Sequence, residues 1–120
     1  MTKTTEPIAP TQEACNSILL PVRDALDVLK GKWKLQIIIA LTFGNKRFKE
    51  ISNEVSGITD RMLSKELKDL EDNLLVKRTV YDSFPPIVEY SITEHGKSLK
   101  NVIDELKDWG LLHRKKIIGK

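Results

Sequence analysis

A short turn containing glycine, at residues 56–58, separates two short amphipathic segments and constrains the fold more than any other feature. Residues 48–55 before the turn and residues 60–73 after it both place apolar side chains at helical spacing. Two short helices joined by such a turn are typical of helix-turn-helix proteins. The sequence therefore predicts a helix-turn-helix, with Thr59 as the N-cap of the second helix because its hydroxyl can accept a backbone N–H.

The residues that follow change from a helical to an alternating pattern. Residues 76–81 are rich in strand-forming residues, and residues 82–86 contain two prolines that predict a turn. Val88, Tyr90 and Ile92 then alternate with polar residues. A two-stranded hairpin directly after the second helix is the wing of a winged helix.

Further helices are predicted on both sides of this unit. Pro21 suits the first position of a helix, which Gly31 would end. Residues 33–43 are apolar nearly all round and predict a central buried helix. A last helix is expected to begin near Thr93 and to continue to about Lys116. The expected fold class is mainly α with a small β-hairpin, a winged helix-turn-helix.

Length and composition set bounds on the organisation. A chain of 120 residues fits one domain, which we expect over residues 15–120 after a flexible arm at residues 1–14. The formal charge of +3 permits nucleic-acid binding without requiring it. No apolar stretch is long enough to cross a bilayer, and the N-terminus has no apolar signal core, so we expect a cytoplasmic protein without a membrane partner.

The residue types argue against catalysis. Cys15 is the single cysteine, which excludes an internal disulfide and a thiolate-cluster metal site but permits a bond between two subunits. His95 and His113 lie far apart and have no partners at metal-ligand spacing. The sequence contains no nucleophile-base-acid arrangement and no glycine-rich phosphate loop. We therefore expect neither an enzyme nor a bound cofactor.

The chain resembles the HxlR-type winged-helix regulators, relatives of the MarR-like proteins, from about Pro21 to Gly110. The resemblance rests on several segments taken together in order: residues 26–33, 47–51, 57–64, 67–71 and 85–93. It implies a homodimer whose interface is formed by the first and last helices. It also implies that the helix at residues 60–73 enters the major groove of double-stranded DNA.

Three positions depart from the family pattern. Leu20 stands where a cysteine often precedes the first helix, so the redox role that some members assign to that cysteine does not transfer directly to Cys15. Ile87 stands where an arginine often follows the paired prolines, which removes a phosphate contact from the wing. Leu74 stands where a glycine often precedes the first wing strand.

The expected DNA contacts follow from the helix-turn-helix arrangement, in which the N-terminal part of the second helix reaches the bases. Arg61 is the expected base reader because a guanidinium pairs with guanine in a bidentate way. Thr59 and Ser64 are expected to touch bases or phosphate. The remaining cations are expected to neutralise phosphates. They are Lys65, Lys68, Lys46, Arg47, Lys49, Lys77 and Arg78.

These residues favour a sequence-specific regulator, a repressor by default, that binds a palindromic operator with half-sites about one helical turn apart. One alternative adds an effector: an oxidant acting through Cys15, or a small molecule in a pocket at the dimer interface. Another is a winged-helix module that binds protein, since the fold alone does not fix the function.

Overall fold

The computed structural model describes residues 11–119, which fall into two compact units on either side of the Lys30–Gly31 bond. The first unit contains one helix, α1, over Gln12–Val28. Thr11 caps it, because its side-chain oxygen accepts the N–H of Ala14 at 3.0 Å. None of the residues of α1 is buried within the chain.

The predicted start of the first helix at Pro21 is wrong, because the proline lies inside α1. Proline lacks one N–H and interrupts one helical hydrogen bond, but the Thr11 cap has already begun the helix by then. Of the flexible arm predicted for residues 1–14, residues 1–10 lie outside the described part of the chain. Residues 12–14 belong to α1.

The second unit contains the predicted series of helices and the hairpin. Its elements are α2 (Lys34–Thr42), α3 (Phe48–Glu54), α4 (Asp60–Asp72), β1 (Val76–Tyr81), β2 (Ile87–Ile92), α5 (Glu94–Lys97) and α6 (Lys100–Ile118). This confirms a mainly helical fold with a small hairpin. Within residues 11–119, no helix combines the length and the apolar character needed to cross a membrane.

Helix α2 is the centre of the core, as its apolar character predicts. Ile37, Ile38 and Leu41 are almost completely buried, and α2 contacts both α3 and α4. Helix α4 contributes a stripe of buried leucines at helical spacing, Leu63, Leu67 and Leu70. Burial of each such side chain stabilises the fold by about 1.5–3 kcal/mol, so the core fixes α4 against α2.

The wing is an antiparallel pair of strands. Val76 lies opposite Ile92 at the base, and Tyr81 lies opposite Ile87 beside the turn. On its other edge, β2 forms a bridge with Lys46, whose backbone N–H donates to Tyr90 O at 3.0 Å while the Tyr90 N–H donates to Lys46 O at 2.8 Å. The wing is thereby joined to the segment that precedes α3.

The single last helix predicted from the sequence is wrong, because the structure divides it into α5 and α6. The N–H of Ser98 donates to His95 O and that of Leu99 to Gly96 O, both at 3.1 Å. Each bond spans three residues instead of the four of an α-helix, and α5 ends at this tighter turn. Thr93 caps α5, since its Oγ1 accepts the Gly96 N–H at 2.9 Å. Apolar periodicity continues across the break, so the pattern alone does not reveal it.

Helix α5 packs closely on the base of the wing. A Cβ at Gly96 would overlap the carbonyl oxygen of Leu75 and the side chain of Ile92. The hydroxyl of Thr93 donates to Leu74 O at 2.6 Å. The end of α4, the base of the wing and α5 therefore form one closely packed junction.

Candidate nucleic-acid interface

The start of α4 is fixed by its cap and by the turn before it. The predicted cap is confirmed: Thr59 has extended backbone, and its Oγ1 accepts the N–H of Met62 at 3.1 Å. Gly57 has φ +89°, a left-handed conformation that favours glycine. Ile58 is buried and anchors the turn to the core. The first turn of α4 is therefore held in a defined position.

Helix α4 presents one apolar and one cationic face. Its leucines face the core, whereas Arg61, Ser64, Lys65 and Lys68 are exposed. Among residues 11–119, the guanidinium of Arg61 forms no ion pair. The side chain predicted to read bases is therefore free to approach a ligand.

The two lysines on this face are paired with carboxylates one turn further along α4. Lys65 Nζ lies 3.0 Å from Asp69 Oδ2, and Lys68 Nζ lies 3.2 Å from Asp72 Oδ1. Exposed pairs of this spacing stabilise a helix by only about 0.3–0.5 kcal/mol. Neither pair therefore holds its lysine firmly in place.

A buried ion pair lies beneath α4 and was not predicted. Lys34, the first residue of α2, contacts Glu66 Oε1 and lies 3.3 Å from Asp69 Oδ2. Lys34 is only 3% exposed and Glu66 only 5%. One sequence signal pointed to this arrangement: Glu66 falls three residues after Leu63, on the apolar side of α4. Lys34, the partner 32 residues away, has no comparable signal in the sequence.

The same network perturbs two ionisation equilibria. Burial lowers the pKa of Lys34, but hydrogen bonds and charges from Glu66 and Asp69 outweigh it, so the pKa lies above its ordinary value. The hydrogen bond from Lys65 holds the pKa of Asp69 below its usual range, with a further contribution from Lys34. Both shifts favour the charged forms of Lys34 and Asp69 at neutral pH.

The cations around α3 are not equally accessible. Arg47 and Lys49 are exposed, and the Arg47 backbone N–H donates to Glu50 Oε1 at 2.7 Å. Lys46 Nζ lies 3.0 Å from Glu54 Oε2, and its side chain is 14% exposed. The structure thus presents Arg47 and Lys49 to solvent but holds Lys46 within the domain.

The two wing cations lie on opposite faces of the hairpin. Lys77 and Arg78 are both exposed but consecutive in β1, so their side chains alternate. The turn end of the wing has a different character: Phe84 is fully exposed, and Glu89 accepts a hydrogen bond from the Tyr81 hydroxyl at 2.8 Å. Only one wing cation at a time can face a given phosphate.

Several features belong to elements other than α4. Cys15 is exposed on α1, in the first unit. In the second unit, a cavity of about 510 Å³ has mainly apolar walls that include Phe43, Ile92 and Ile103, and Lys97 also lines it. No cluster of three or more metal-ligating side chains occurs in the described part of the chain.

The capped helix α4 with its exposed cations, the preceding α3 and turn, and the following hairpin define a winged helix-turn-helix domain, the fold class of DNA-binding transcription regulators. The chain belongs to the HxlR-like helix-turn-helix family, whose model matches residues 28–117.

Relatives cover most of the chain. It is 41% identical over 107 residues to the HTH-type transcriptional regulator YybR of Bacillus subtilis, covering 89% of this chain and 82% of the relative. It is 39% identical over 100 residues to YtcD of the same organism, covering 83% and 79%. The solved structure of the redox regulator HypR in its reduced form superposes with a TM-score of 0.77 at 40% identity, covering 83% of this chain and 99% of that one.

Proposed function

We propose that this regulator acts as a homodimer on a palindromic operator and represses transcription by occupying a promoter. The observation that carries the proposal is the exposed face of Arg61, Ser64, Lys65 and Lys68 on the capped helix α4. A single helix of this kind fits the major groove, where base pairs are distinguishable. No side-chain arrangement in the sequence suggests catalysis, so binding is its whole proposed activity, carried out in the cytoplasm.

The dimer is supported by two helices that the chain leaves uncovered. Neither α1 nor α6 contains a buried residue. Both carry large exposed apolar side chains, among them Ile18, Leu26, Leu106, Trp109 and Leu112. Apolar surface of this extent marks an interaction site in a protein that works in water. A two-fold dimer would present two copies of α4 about one helical turn of DNA apart.

Individual contacts follow from placement and charge. Arg61 reads a base, most simply guanine, and Ser64 and Thr59 touch bases or phosphate, although the Thr59 oxygen already caps α4. The other exposed cations bind phosphates, which gives affinity without sequence information. These are Lys65, Lys68, Arg47, Lys49, Lys77 and Arg78. We leave Lys46 out of the proposed set, because its ammonium pairs with Glu54 and its side chain is mostly buried.

Control by oxidation is a second candidate function, supported by the likeness to the redox regulator HypR. Cys15 is exposed on α1. In an oxidised dimer the two Cys15 thiols would lose two protons and two electrons to a peroxide-class oxidant and form one S–S bond between subunits. The expected result is a covalent dimer on a non-reducing gel and altered DNA affinity, both absent in Cys15→Ser. An unchanged response in that variant would remove this candidate.

A small-molecule effector is supported separately by the apolar cavity lined by Phe43 and Ile103. Its volume of about 510 Å³ lies in the usual range of ligand sites. Crystals soaked with a library of apolar carboxylates test this alternative, because occupancy of the cavity is observed directly. A change in DNA affinity with the same compound would make it an effector.

Selection of binding sites from random duplex DNA, followed by affinity measurements over a salt series, tests the main proposal. We expect an enriched palindrome, a steep dependence of affinity on salt, and a dimer by analytical ultracentrifugation. No enrichment and only weak, salt-sensitive binding would contradict sequence-specific regulation by the protein alone. That outcome favours the winged helix as a protein-binding module.

A further inference from the structure

Helix α4 carries five acidic residues and three basic ones, an unfavourable balance for a helix that lies against phosphates. Four charges of alternating sign form a row from the interior to the surface: Glu66, Lys34, Asp69 and Lys65. Asp69 Oδ2 lies 3.3 Å from Lys34 Nζ and 3.0 Å from Lys65 Nζ. One carboxylate oxygen is therefore shared by a buried and an exposed cation.

We propose that Lys34 is a positioning residue for DNA binding: it holds Asp69 from the interior, so that Lys65 can leave this carboxylate and bind a DNA phosphate. The proposal rests on the proposed contact between α4 and DNA. Lys34 itself does not touch DNA, because its side chain is 4% exposed.

The two cations differ in their freedom to move. The Lys65 side chain is largely exposed, and a surface pair of this kind is easily exchanged. Lys34 is fixed, because it also contacts the buried Glu66 and an unpaired buried ammonium is costly. When Lys65 turns to a phosphate, Lys34 remains beside Asp69. The carboxylate is then not left as an uncompensated negative charge near DNA.

Lys68 and Asp72 provide a matched contrast on the same helix. Their charges have the same i,i+4 spacing and lie 3.2 Å apart, with both side chains more than half exposed. Within residues 11–119, Asp72 has no second cation. Asp72→Asn therefore removes a carboxylate that the interior network does not compensate.

The decisive background is the double variant Lys34→Met/Glu66→Met. It removes the interior cation together with its buried partner and leaves the net charge unchanged. Replacing a buried pair by apolar side chains is often neutral or stabilising, whereas Lys34→Met alone would leave Glu66 buried and unpaired. Circular dichroism and a thermal midpoint confirm that the variant is folded before DNA is added. In this background Lys65 alone binds Asp69.

Affinity is measured by fluorescence anisotropy with a labelled duplex of random sequence. We expect the double variant to bind roughly three- to tenfold more weakly than the native chain, the size of coupling typical of groups in one network. Adding Asp69→Asn should restore binding in the double variant but change it little in the native background. Asp72→Asn should change affinity by the same factor in both backgrounds.

An equal effect of Asp69→Asn in both backgrounds, with DNA binding intact, would overturn the role of Lys34. Failure of the native chain to bind duplex DNA at all would overturn the proposed function, and this inference with it. Side-chain ammonium NMR of the native protein gives an answer even if the double variant does not fold. Added duplex should shift the Lys65 signal and leave that of Lys34 in place, and the reverse pattern contradicts the proposal.

Discussion

The ammonium of Lys46 lies 3.0 Å from the carboxylate of Glu54, at the far end of α3. The backbone of Lys46 also pairs with Tyr90 in β2. The side chain of this lysine therefore binds α3, and its backbone binds the wing. A residue that the sequence groups with the DNA contacts therefore also joins two elements of the domain.

We expect Lys46→Ala to lower the free energy of unfolding by about 1 kcal/mol and to leave the salt dependence of DNA binding unchanged. Lys49→Ala is the matched control, since Lys49 is an exposed lysine three residues further along the chain, in the first turn of α3. It should lower the salt slope by about one without loss of stability. Urea denaturation and anisotropy over a salt series measure the two properties. A lower slope for Lys46→Ala would show that this lysine does reach a phosphate.

Arg61→Ala should cost about 1–3 kcal/mol of binding free energy on the selected operator and relax the preference for the base that Arg61 contacts. Lys68→Ala should weaken binding to all sequences alike and lower the salt slope by about one. Affinities for the operator, for single-base variants of it and for random duplex distinguish the two. Equal losses for Arg61→Ala on operator and random DNA would contradict base reading.

Leu74 has φ +64° at the end of α4, in the left-handed region that favours glycine. Its N–H donates to Glu71 O and that of Leu75 to Leu70 O, each at 3.0 Å, which is the hydrogen-bond pattern of a Schellman motif. The side chain is 70% exposed and makes little packing contribution. Glycine here should relieve backbone strain.

We therefore expect Leu74→Gly to stabilise the protein by about 1 kcal/mol, the cost of the left-handed conformation for a residue with a Cβ. The urea midpoint measures this effect. Leu75→Gly is the contrasting variant, because Leu75 is buried, and it should destabilise strongly. A loss of stability in Leu74→Gly would show that the exposed leucine makes contacts that outweigh the strain.

Acid should weaken the fold partly through Asp69. The pKa of Asp69 is lowered in the folded chain by Lys65 and, to a smaller extent, by Lys34. The ionised carboxylate therefore stabilises the folded state, and this stabilisation is fully present above the unfolded pKa of about 3.9. The stabilisation is lost as the pH falls through the lower folded pKa. Asp69→Asn should therefore lose less stability than the native chain between neutral pH and about pH 3. Identical acid profiles of the urea midpoint would contradict this assignment.

Periodicity predicts the central part of this fold well. The buried α2, the capped α4 and the hairpin occupy nearly the residues that the apolar pattern indicates. The reason is that a local sequence feature specifies each of these elements: an apolar stripe, a threonine at the N-cap, or an alternating pattern bounded by prolines. The exposed positions of Arg61 and Lys68 follow from the same helical spacing.

The features that sequence misses depend on tertiary structure. Pro21 favours a helix start because proline suits that position, but Thr11 caps the helix earlier. The break after α5 interrupts an apolar pattern that continues across it, so periodicity does not indicate it. The positions of Lys34 and Lys46 depend on distant carboxylates. A charged residue at such a place is indistinguishable, in sequence, from one on a solvated surface.

Gly96 has one further consequence, for the interpretation of natural variation. Any side chain at this position would overlap the carbonyl of Leu75 and the side chain of Ile92, so even alanine requires the backbone to move. Its φ is not in the left-handed region, so the restriction arises from neighbours and not from its own conformation. Intolerance of substitution at Gly96 would therefore reflect a lack of space for a side chain. A mutational scan scored by DNA binding would show losses at both Gly96 and Arg61, but the loss at Gly96 would come from packing and the loss at Arg61 from a lost DNA contact.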